Sequence, residues 1–470
     1  MDSGRPIGYV TDVEGNAEYF CRYVEESTVV CFATAAPDHP ARLGSAAGPL
    51  PNLVFTPEAE ADGAVFVYGG DVCDKGNGDL RVIACLLAFK EAFPERVFLL
   101  VGNRDVNKLR FSAELAHPTP ADDMFTLYWV EEAKRKLYPD YLVEKGFQDT
   151  PSARLRWMLD CTMGSEGAFD RRREELAILA GAASTESITD AQVYASYVGA
   201  AAKGGVLHKY LLQGQIAALV DGTLFVHGAV NDANIGYVPP LDGAQVLPSP
   251  APGIDTLATA PPPELGVAEW VAALNAWYNE QMAQWDASPQ WEDPPACTRR
   301  GGNSLMDYGV PGGWAGAPPS ARVLAYLAAS GVTRVITGHT PHGQSPTVMV
   351  VPAGGDARIT FVIADTSYSD MSAPDNRGSA ITAIAVSSGG SIRFHGQDRD
   401  GLRHDFVVPT ETHIGALTPD GFRVKTREAS SGTYVLTRTR GFAVELVKLD
   451  EERLCAALES GVEPSSASKL

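Results

Sequence analysis

Residues 65–76 read VFVYGGDVCDKG, a short apolar run that ends in two glycines and is followed by two aspartates. Similar runs at residues 7–11 (IGYVT) and 97–101 (VFLLV) also end just before Gly, Asp or Asn. Such runs are typical of short buried strands that lead into polar loops. Residues 80–93 have helical spacing and complete a β-α-β unit. Because open α/β sheets bind ligands beyond the carboxyl ends of their strands, the pattern predicts a parallel sheet with a site at that edge.

The part of the chain that follows this unit is predicted to contain two insertions. Residues 107–220 combine charged and apolar residues at helical intervals, which indicates a mostly helical region with an insertion over about 107–205. A second insertion over about 231–330 is rich in Pro, Gly and Trp and predicts a surface excursion.

Alternating apolar segments after His342 predict the remaining strands. These segments, TVMVV, RITFVIA, AITAIAV and SIRFHG, are consistent with a second sheet that completes a sandwich. The predicted fold is therefore an α/β sandwich flanked by helices, with helical insertions. Its boundaries are a main domain over 1–410 and a small, β-rich C-terminal extension over 411–470.

The composition excludes several classes of partner. The chain has 470 residues and a formal net charge of −20, whereas nucleic acids and anionic membranes are bound by Lys and Arg. An acidic protein that acts on a phosphorylated substrate needs local positive charge, which divalent cations usually supply. The seven cysteines lack CxxC spacing, and neither a signal peptide nor a long apolar run is evident. We expect a cytoplasmic protein with reduced thiols, and the oligomeric state stays open.

Five short segments at strand ends contain residue types that bind metal ions. In chain order they are TDVEGN at 11–16, GDVCDKG at 70–76, GNRD at 102–105, HG at 227–228 and GHTPHG at 338–343. A single GD or GH is more often a turn than a ligand. Five such segments in this arrangement indicate one metal centre, and imidazole together with carboxylate suits Mn, Fe or Zn.

These segments resemble the calcineurin-like metallophosphoesterases, whose pattern is D-x-H, G-D-x-x-D, G-N-H-[DE], H, G-H. The resemblance covers about residues 7–395 without the insertions and is closest to the phosphoprotein phosphatase branch, whose G-D-x-V-D-R-G is similar to residues 70–76. Residues 216–222 are similar to the helix that precedes the strand of the metal-binding histidine. The resemblance implies hydrolysis of a phosphate ester or phosphoanhydride by a hydroxide that two divalent metal ions activate.

The resemblance also implies the ligands of these ions. Asp71 would bridge both ions, Asp12 would bind the first, and the second would be bound by Asn103, His227 and His339. Glu14 stands where the family has a histidine, and we hypothesise that it is a ligand, the alternative being a surface acid. A carboxylate there would favour harder ions, so Mn²⁺ is the expected cofactor, with Fe, Zn or Mg as alternatives.

Arg104 stands where the phosphatases have the histidine that protonates the leaving group. Arginine stays charged and cannot act as that acid, but it can clamp a phosphate bidentately. Bacterial UDP-diacylglucosamine pyrophosphatases have a similar Gly-Asn-Arg-Asp, in which the Arg lies in the substrate site. A phosphoanhydride leaves as a weakly basic phosphate and needs protonation less than an alkoxide does. Arg104 therefore favours an anhydride or nucleotide-type substrate.

Two more residues are candidates for catalytic roles. Asp74 could pair with Arg104 and fix its guanidinium, or it could form a purely structural salt bridge. His342 follows His339 by three positions, whereas many family members have G-H-x-H, so it is either a ligand or acid, or a loop histidine. Asn16, Asp105 and Asn107 are candidates for supporting the site.

Three functions remain open from the sequence. The first is metal-dependent hydrolysis of a phosphorylated small molecule or phosphoprotein, with Arg104 clamping the phosphate. The second is a Ser/Thr protein phosphatase, which the similarity of residues 70–76 favours. The third is an inactive metal-binding scaffold, since the first-motif histidine and the usual acid histidine are both absent.

Overall fold

The structure is a computed structural model of the chain. It describes residues 4–33, 48–115, 135–232, 234–239, 263–287, 318–343, 345–366, 380–398, 400–411, 413–440, 443–462 and 468–469. Most of the predicted second insertion, residues 240–262 and 288–317, lies outside these ranges. No helix within the described ranges is long and apolar enough to cross a membrane.

The strands of the described chain form four sheets. They are β1 Ile7–Val10, β2 Val30–Phe32, β3 Leu53–Phe55, β4 Val65–Tyr68, β5 Val97–Leu99, β6 Ala217–Val220, β7 Thr223–Val226, β8 Arg334–Thr337, β9 Thr347–Pro352, β10 Arg358–Ile363, β11 Ala380–Val386, β12 Ile392–Asp398, β13 Arg403–Val408, β14 Arg423–Arg427, β15 Tyr434–Arg440, β16 Ala443–Leu449 and β17 Ser468–Lys469.

The α-helices of the described chain are α1 Ala17–Glu26, α2 Pro57–Ala61, α3 Asp79–Ala92, α4 Asn103–Val106, α5 Phe111–Glu114, α6 Tyr138–Lys145, α7 Pro151–Trp157, α8 Ala168–Leu179, α9 Asp190–Ala201, α10 Val206–Gln213, α11 Val267–Ala287, α12 Ala321–Ala329 and α13 Glu451–Ser460. Short 3₁₀-helices lie at Asn107–Arg110 and Thr185–Ser187, and a π-helical turn lies at Met158–Thr162.

The predicted β-α-β unit and the strand before it, β1, form half of the first sheet, whose strand order is β13-β12-β11-β1-β4-β5. Strands β1, β4 and β5 are parallel, with Ile7 opposite Val65 and Phe66 opposite Val97. Helix α3 crosses over between β4 and β5. This part of the sequence prediction is confirmed.

The second sheet has the order β6-β7-β8-β10-β9, and β7, β8 and β10 are parallel. The prediction that all four apolar segments after His342 build this sheet is wrong, because β11 and β12 belong to the first sheet. Strand β11 pairs antiparallel with β1, with Ile7 opposite Val386. Since β1 is buried throughout, its backbone groups on this side need a protein partner, which β11 provides.

Residues 217–220 were predicted to be helical, and they form strand β6 instead. This strand makes a hairpin with β7, in which Ala217 is opposite Val226. Asp221 and Gly222 form the turn and both have positive φ, which is the conformation that tight two-residue hairpins require. An Asp-Gly pair between two short apolar runs therefore outweighs the helical tendency of the alanines.

The two sheets pack face to face, and helices cover the first sheet. Tyr9 of β1 stacks on Phe225 of β7 with 5.5 Å between ring centroids, inside a buried cluster shared by both sheets. The alternate residues Phe66 and Tyr68 of β4 point away from that interface into the larger cluster that contains α1 and α3. The predicted α/β sandwich flanked by helices is thus confirmed.

A four-stranded antiparallel sheet, β14-β15-β16-β17, and helix α13 end the described chain. Apolar residues of this sheet, such as Val424 and Leu436, belong to the same buried cluster as the sandwich interface. The C-terminal sheet therefore shares the core of the sandwich. The domain boundaries at 410 and 411 stay a prediction.

Candidate metal centre

The predicted ligands follow strands whose carboxyl ends meet at one edge of the sandwich. Backbone hydrogen bonds join these loops, from Asp12 N–H to the Gly70 carbonyl and from Gly338 N–H to the His227 carbonyl, with N···O distances of 3.0 and 2.9 Å. The site residues and the strands they follow are Asp12 after β1, Asp71 and Asp74 after β4, Asn103 and Arg104 after β5, His227 after β7, and His339 after β8.

Asp71, His227 and His339 form the centre of this edge. Each offers a ligand atom, and the three atoms lie within 4.8 Å of one another. His227 Nδ1 is 2.9 Å from the Gly69 carbonyl, which leaves Nε2 to face Asp71 Oδ2 at 3.4 Å and Asn103 Oδ1 at 3.3 Å. Imidazole held by a carbonyl on its far nitrogen is the usual arrangement of a metal ligand. These donors fit a divalent cation.

Asp12 lies directly beside this cluster and is almost fully buried. The His339 N–H donates to both Asp12 carboxylate oxygens, at 3.2 and 3.0 Å, and the Thr11 hydroxyl donates to Oδ2 at 2.6 Å. A Cβ at Gly338 would lie 2.1 Å from Asp12 Oδ2, so only glycine fits there. The glycine of the Gly-His segment therefore allows the two loops to approach.

The backbone is strained at the same edge. Six non-glycine residues of the described chain have positive φ, and five lie in the predicted site segments: Asp12, Glu14, Asp71, Asp74 and His339. Non-glycine residues rarely adopt this conformation, and such strain concentrates at functional sites. Its coincidence with the predicted ligands supports a functional role for this edge.

Asp105 supports the loop of Asp71 through hydrogen bonds to backbone N–H groups. Its carboxylate is fully buried and accepts N–H bonds from Asp71 and Gly102 at 3.0 and 2.8 Å and from Val72 at 2.8 Å. A Cβ at Gly102 would lie 2.0 Å from Asp71 Oδ1. The Gly-Asn-Arg-Asp segment thus positions the Asp71 loop with its first and last residues.

The charged groups at the centre change one another's pKa values. Burial raises the pKa of Asp12 well above its ordinary value, and the neighbouring carboxylate of Asp365 raises it further. Burial also raises the pKa of Asp71, but the His227 imidazole, followed by Arg104 and His339, lowers it, so that the pKa lies below its ordinary value. Burial lowers the pKa of His227, whereas Asp71 raises it, and the result is about 10. Positive charge is therefore strongly favoured between these groups.

Arg104 lies in a separate set of charges next to the centre. Its Nε is 2.5 Å from Glu14 Oε1, and its Nη1 is 3.3 Å from Asp74 Oδ2 and donates to the Gly164 carbonyl at 3.1 Å. Lys75 Nζ is 3.3 Å from the other oxygen of Glu14. The ion pair between Arg104 and Asp74 that the sequence suggested is present. Glu14 lies outside the three-residue cluster, and its role as a metal ligand stays a prediction.

Lys108 completes this set and was missed by sequence reasoning. Its ammonium group is buried, lies 2.5 Å from Asp74 Oδ1, and also donates to the Asn107 side-chain oxygen and the Arg104 carbonyl. Burial raises the pKa of Asp74, but Lys108 and then Arg104 lower it below its ordinary value. We call Glu14, Asp74, Lys75, Arg104 and Lys108 the ion-pair network.

His342 lies near the centre but outside the three-residue cluster. Its Nδ1 is 2.8 Å from the Thr340 carbonyl, and its own carbonyl accepts from Lys425 Nζ at 2.7 Å and the Thr437 hydroxyl at 3.2 Å. Its role as ligand or acid stays a prediction. Lys425 and Thr437 belong to the C-terminal sheet, which sequence reasoning did not connect with the site.

Asp365 is a further carboxylate that sequence reasoning missed. It is 7% exposed and follows β10 by two residues. The sequence contains a pattern that could have identified it, because Asp365 follows the apolar run RITFVIA in the same way that Asp12 follows IGYVT. It was overlooked because it lies in none of the five segments.

Comparison with known proteins finds no matching family model and no matching curated protein. Among solved structures, the chain is similar to a cold-active protein-tyrosine phosphatase of a psychrophilic Shewanella species, with 12% identity and a TM-score of 0.39 over 85% of this chain and 80% of that one. It is also similar to a protein serine/threonine phosphatase from Saccharomyces cerevisiae, with 13% identity and a TM-score of 0.29 over 82% and 73% of the two chains. Likenesses this distant assign neither a family nor an activity.

Proposed function

We propose that this protein is a metal-dependent phosphoesterase that hydrolyses a phosphate ester or phosphoanhydride. The observation that carries the proposal is the convergence of the buried Asp71 and His227 with the partly exposed His339 at the strand edge, with Asn103 and Asp12 in contact. Carboxylate, amide and imidazole donors of this kind suit Mn, Fe or Zn, and Mn²⁺ is the ion we expect.

The side chains at this edge have different proposed roles in binding the metal ions. Two divalent ions, when bound, would lower the pKa of a water molecule and neutralise charge on the phosphate. Asp71 would be the carboxylate shared by both ions, an assignment that rests on the resemblance; its Oδ2 faces His227 Nε2, and its Oδ1 accepts the backbone N–H of Arg104 at 2.8 Å. His227, His339 and Asn103 would hold one ion, and Asp12 the other.

Arg104 is the residue that we assign to the substrate phosphate. Glu14 holds its Nε and Asp74 holds its Nη1, so the plane of the guanidinium is fixed before substrate binds. Nη2 is the nitrogen that we assign to a phosphate oxygen. A preorganised cation of this kind stabilises charge that develops during attack.

Arginine in this position also favours one class of substrate. It cannot protonate a leaving group, so the reaction suits a leaving group that departs as a weak base. A phosphoanhydride of nucleotide type meets this condition, as does an aryl phosphate. An alkyl monoester on a phosphoprotein meets it less well, and the serine/threonine phosphatase alternative is tested directly by comparing these substrates.

The test measures hydrolysis of p-nitrophenyl phosphate, its bis ester, a phosphoserine peptide and diadenosine tetraphosphate with Mn²⁺, Mg²⁺ or Zn²⁺. Wild type is compared with Asp71→Asn and with Asp405→Asn, a matched control on an exposed aspartate that pairs with Arg393. We expect metal-dependent turnover, highest with the anhydride, that is lost only in Asp71→Asn. Absence of turnover in every combination would support the scaffold alternative, and turnover of the phosphopeptide above the anhydride would support the protein phosphatase.

A further inference from the structure

Four charged side chains outside the metal centre are buried between helices α3 and α8. Asp79 and Arg81 belong to α3, and Arg172 and Glu175 belong to α8. None of the four is more than 4% exposed. Arg172 Nη2 lies 2.7 Å from Asp79 Oδ2, and its Nε lies 3.4 Å from Glu175 Oε2. Arg81 Nε lies 3.5 Å from the other oxygen of Glu175. Two acids and two bases are thus paired in a region where removal of one partner would leave a buried charge.

Glu175 also caps the N-terminus of α3. The N-cap residue of this helix is Gly78, which has no side chain to accept from the first N–H groups. Glu175 accepts from the N–H groups of Leu80 and Arg81 instead, both at 3.1 Å. A carboxylate at this end of a helix is also favoured by the helix dipole. Helix α8 therefore holds the start of α3, which follows the loop of Asp74 directly.

Asp79 links these buried charges to two loops of the ion-pair network. Its Oδ1 accepts the Asp74 N–H at 3.1 Å, while its Oδ2 binds Arg172. A Cβ at Gly15 would lie 1.9 Å from the same Oδ1, so the loop of Glu14 and Gly15 packs directly against this carboxylate. The Asp79 carboxylate therefore lies between the two loops whose acids hold the guanidinium that we assign to the substrate phosphate.

The helical region that contains α8 also contacts this guanidinium directly. Arg104 Nη1 donates to the carbonyl of Gly164, which lies between the π-helical turn and α8. Within the region, Arg172 is held by α9: its guanidinium lies over the Tyr197 ring at 4.1 Å, and its Nη1 donates to the Ser196 hydroxyl at 3.2 Å. The region thus holds Arg104 at one nitrogen and, through Arg172, the loops around it.

We propose that Arg172 is a positioning residue that acts on Arg104 through Asp79. Asp79 fixes the loops of Glu14 and Asp74, and these two acids set the orientation of the guanidinium toward the substrate phosphate. This inference rests on the proposed function. A preorganised charge contact depends on accurate placement, so loosening these loops lowers turnover without removing a metal ligand.

The experiment measures kcat for diadenosine tetraphosphate and counts bound Mn²⁺ by native mass spectrometry, in wild type and in Arg172→Met. Arg156→Met is the matched control, because Arg156 lies in α7 of the same helical region, pairs with Asp170 at 2.6 Å and lies over the Phe169 ring at 4.0 Å. We expect kcat to fall by about 10- to 100-fold in Arg172→Met, since a displacement of about 1 Å has an effect of this size. The number of bound ions should equal that of wild type, and Arg156→Met should match wild type in both quantities.

A double-mutant cycle with Arg104→Gln separates positioning from a general effect on the fold. If Arg172 acts through Arg104, Arg172→Met should change kcat by less than about 2-fold once Arg104→Gln is present. Independent effects would instead multiply.

Asp79→Asn is the second variant, because Arg172→Met leaves the buried Asp79 without its counter-charge. Its amide has one acceptor oxygen for the Asp74 N–H and Arg172 together, while Arg172 keeps Glu175 as an ionic partner. We expect the same fall in kcat and the same lack of additivity with Arg104→Gln.

Thermal unfolding identifies which variants are folded. The inference is overturned if a folded Arg172→Met or Asp79→Asn keeps the wild-type kcat, if its loss multiplies with that of Arg104→Gln, or if it loses bound Mn²⁺. It is overturned as well if neither variant folds, since the buried charges then support the fold alone. Wild type without turnover overturns the proposed function and the inference that rests on it, and this outcome is recognised from wild type alone.

Discussion

The two halves of the strand edge hold their carboxylates in different ways. In the ion-pair network, Glu14 and Asp74 each contact basic side chains at distances of 2.5 to 3.3 Å. The other half, which we call the imidazole half, consists of Asp12, Asp71, Asn103, His227 and His339. Its two carboxylates are bound by backbone N–H groups, a hydroxyl and an imidazole. The two acids of the first half are paired with three basic side chains of the protein itself. The second half keeps donor atoms that suit an added cation.

Asp71 joins the two halves. Its Oδ2 lies 3.4 Å from His227 Nε2 and 3.6 Å from Arg104 Nε. An ion bound at Asp71 would therefore be adjacent to the fixed guanidinium, which is the arrangement that a phosphate with several anionic oxygens requires. The comparison predicts that substitutions in the imidazole half affect metal binding, whereas substitutions in the network affect substrate.

The largest effect is expected from His227→Asn, which removes the central imidazole. Metal affinity should fall by more than about 100-fold, the upper end of the loss that supporting residues alone produce, and turnover should fall with it. Calorimetry with Mn²⁺ and phosphatase assays measure both quantities. His395→Asn is the control, since His395 lies outside this edge and pairs with Glu26. Wild-type metal affinity in His227→Asn would show that the imidazole half is not the metal centre.

The second-largest effect is expected from Arg104→Gln. This substitution tests the division into halves most directly, because it should change turnover without changing metal binding. Arg104→Gln should reduce kcat for the anhydride by about 100- to 1000-fold, because one preorganised charge contact is lost, while the number of bound ions stays at the wild-type value. Arg104→His should raise turnover of an alkyl monoester relative to the anhydride, because imidazole can donate a proton. A loss of metal in Arg104→Gln would contradict the division into two halves.

A smaller effect is expected from Asp105→Asn, which weakens the hydrogen bonds that hold the Asp71 loop in place. The amide has one acceptor oxygen where the carboxylate has two, so it cannot accept all three N–H bonds from Asp71, Val72 and Gly102. We expect metal affinity to fall by about 10- to 100-fold and the thermal unfolding temperature to fall as well. Asp398→Asn, on an aspartate that binds the N–H groups of Asp400 and Leu402, is the control. It should lower stability without changing metal affinity.

The position of the imidazole half could be predicted from local pattern and from the resemblance, because each of its residues comes within four residues of the end of an apolar strand. The roles of Asp12, Asp71, Asn103, His227 and His339 as metal ligands stay a prediction. The placement of β11 and β12 could not be predicted, since strands of both sheets show the same alternation, and what selects between the sheets is the buried edge of β1, whose backbone groups need a strand partner. Residues 217–220 were misread because local helical tendency was weighed without the Asp-Gly turn that follows.

The buried lysines of the site were beyond sequence reasoning for a different reason. Lys108 and Lys425 carry the residue type that is least often buried, so the sequence gives them a default position on the surface. Their hydrogen-bond and ion-pair partners hold both side chains in the interior instead. Lys425 donates to a carbonyl 83 residues away in the chain, a contact that no local pattern encodes.

The smallest effect is expected from Lys425→Met, which tests whether the C-terminal sheet positions the imidazole half. The change leaves the His342 carbonyl without its ammonium donor, although the Thr437 hydroxyl remains, so the loop of His339 and His342 should loosen. Metal affinity should fall by up to about 10-fold, with a loss of about 1–3 kcal/mol in the free energy of unfolding. Lys448→Met is the control, because Lys448 lies in the same sheet and pairs with Glu428 near the surface. If Lys425→Met lowers stability while metal affinity equals that of wild type, the C-terminal sheet supports the fold alone, and the imidazole half is complete without it.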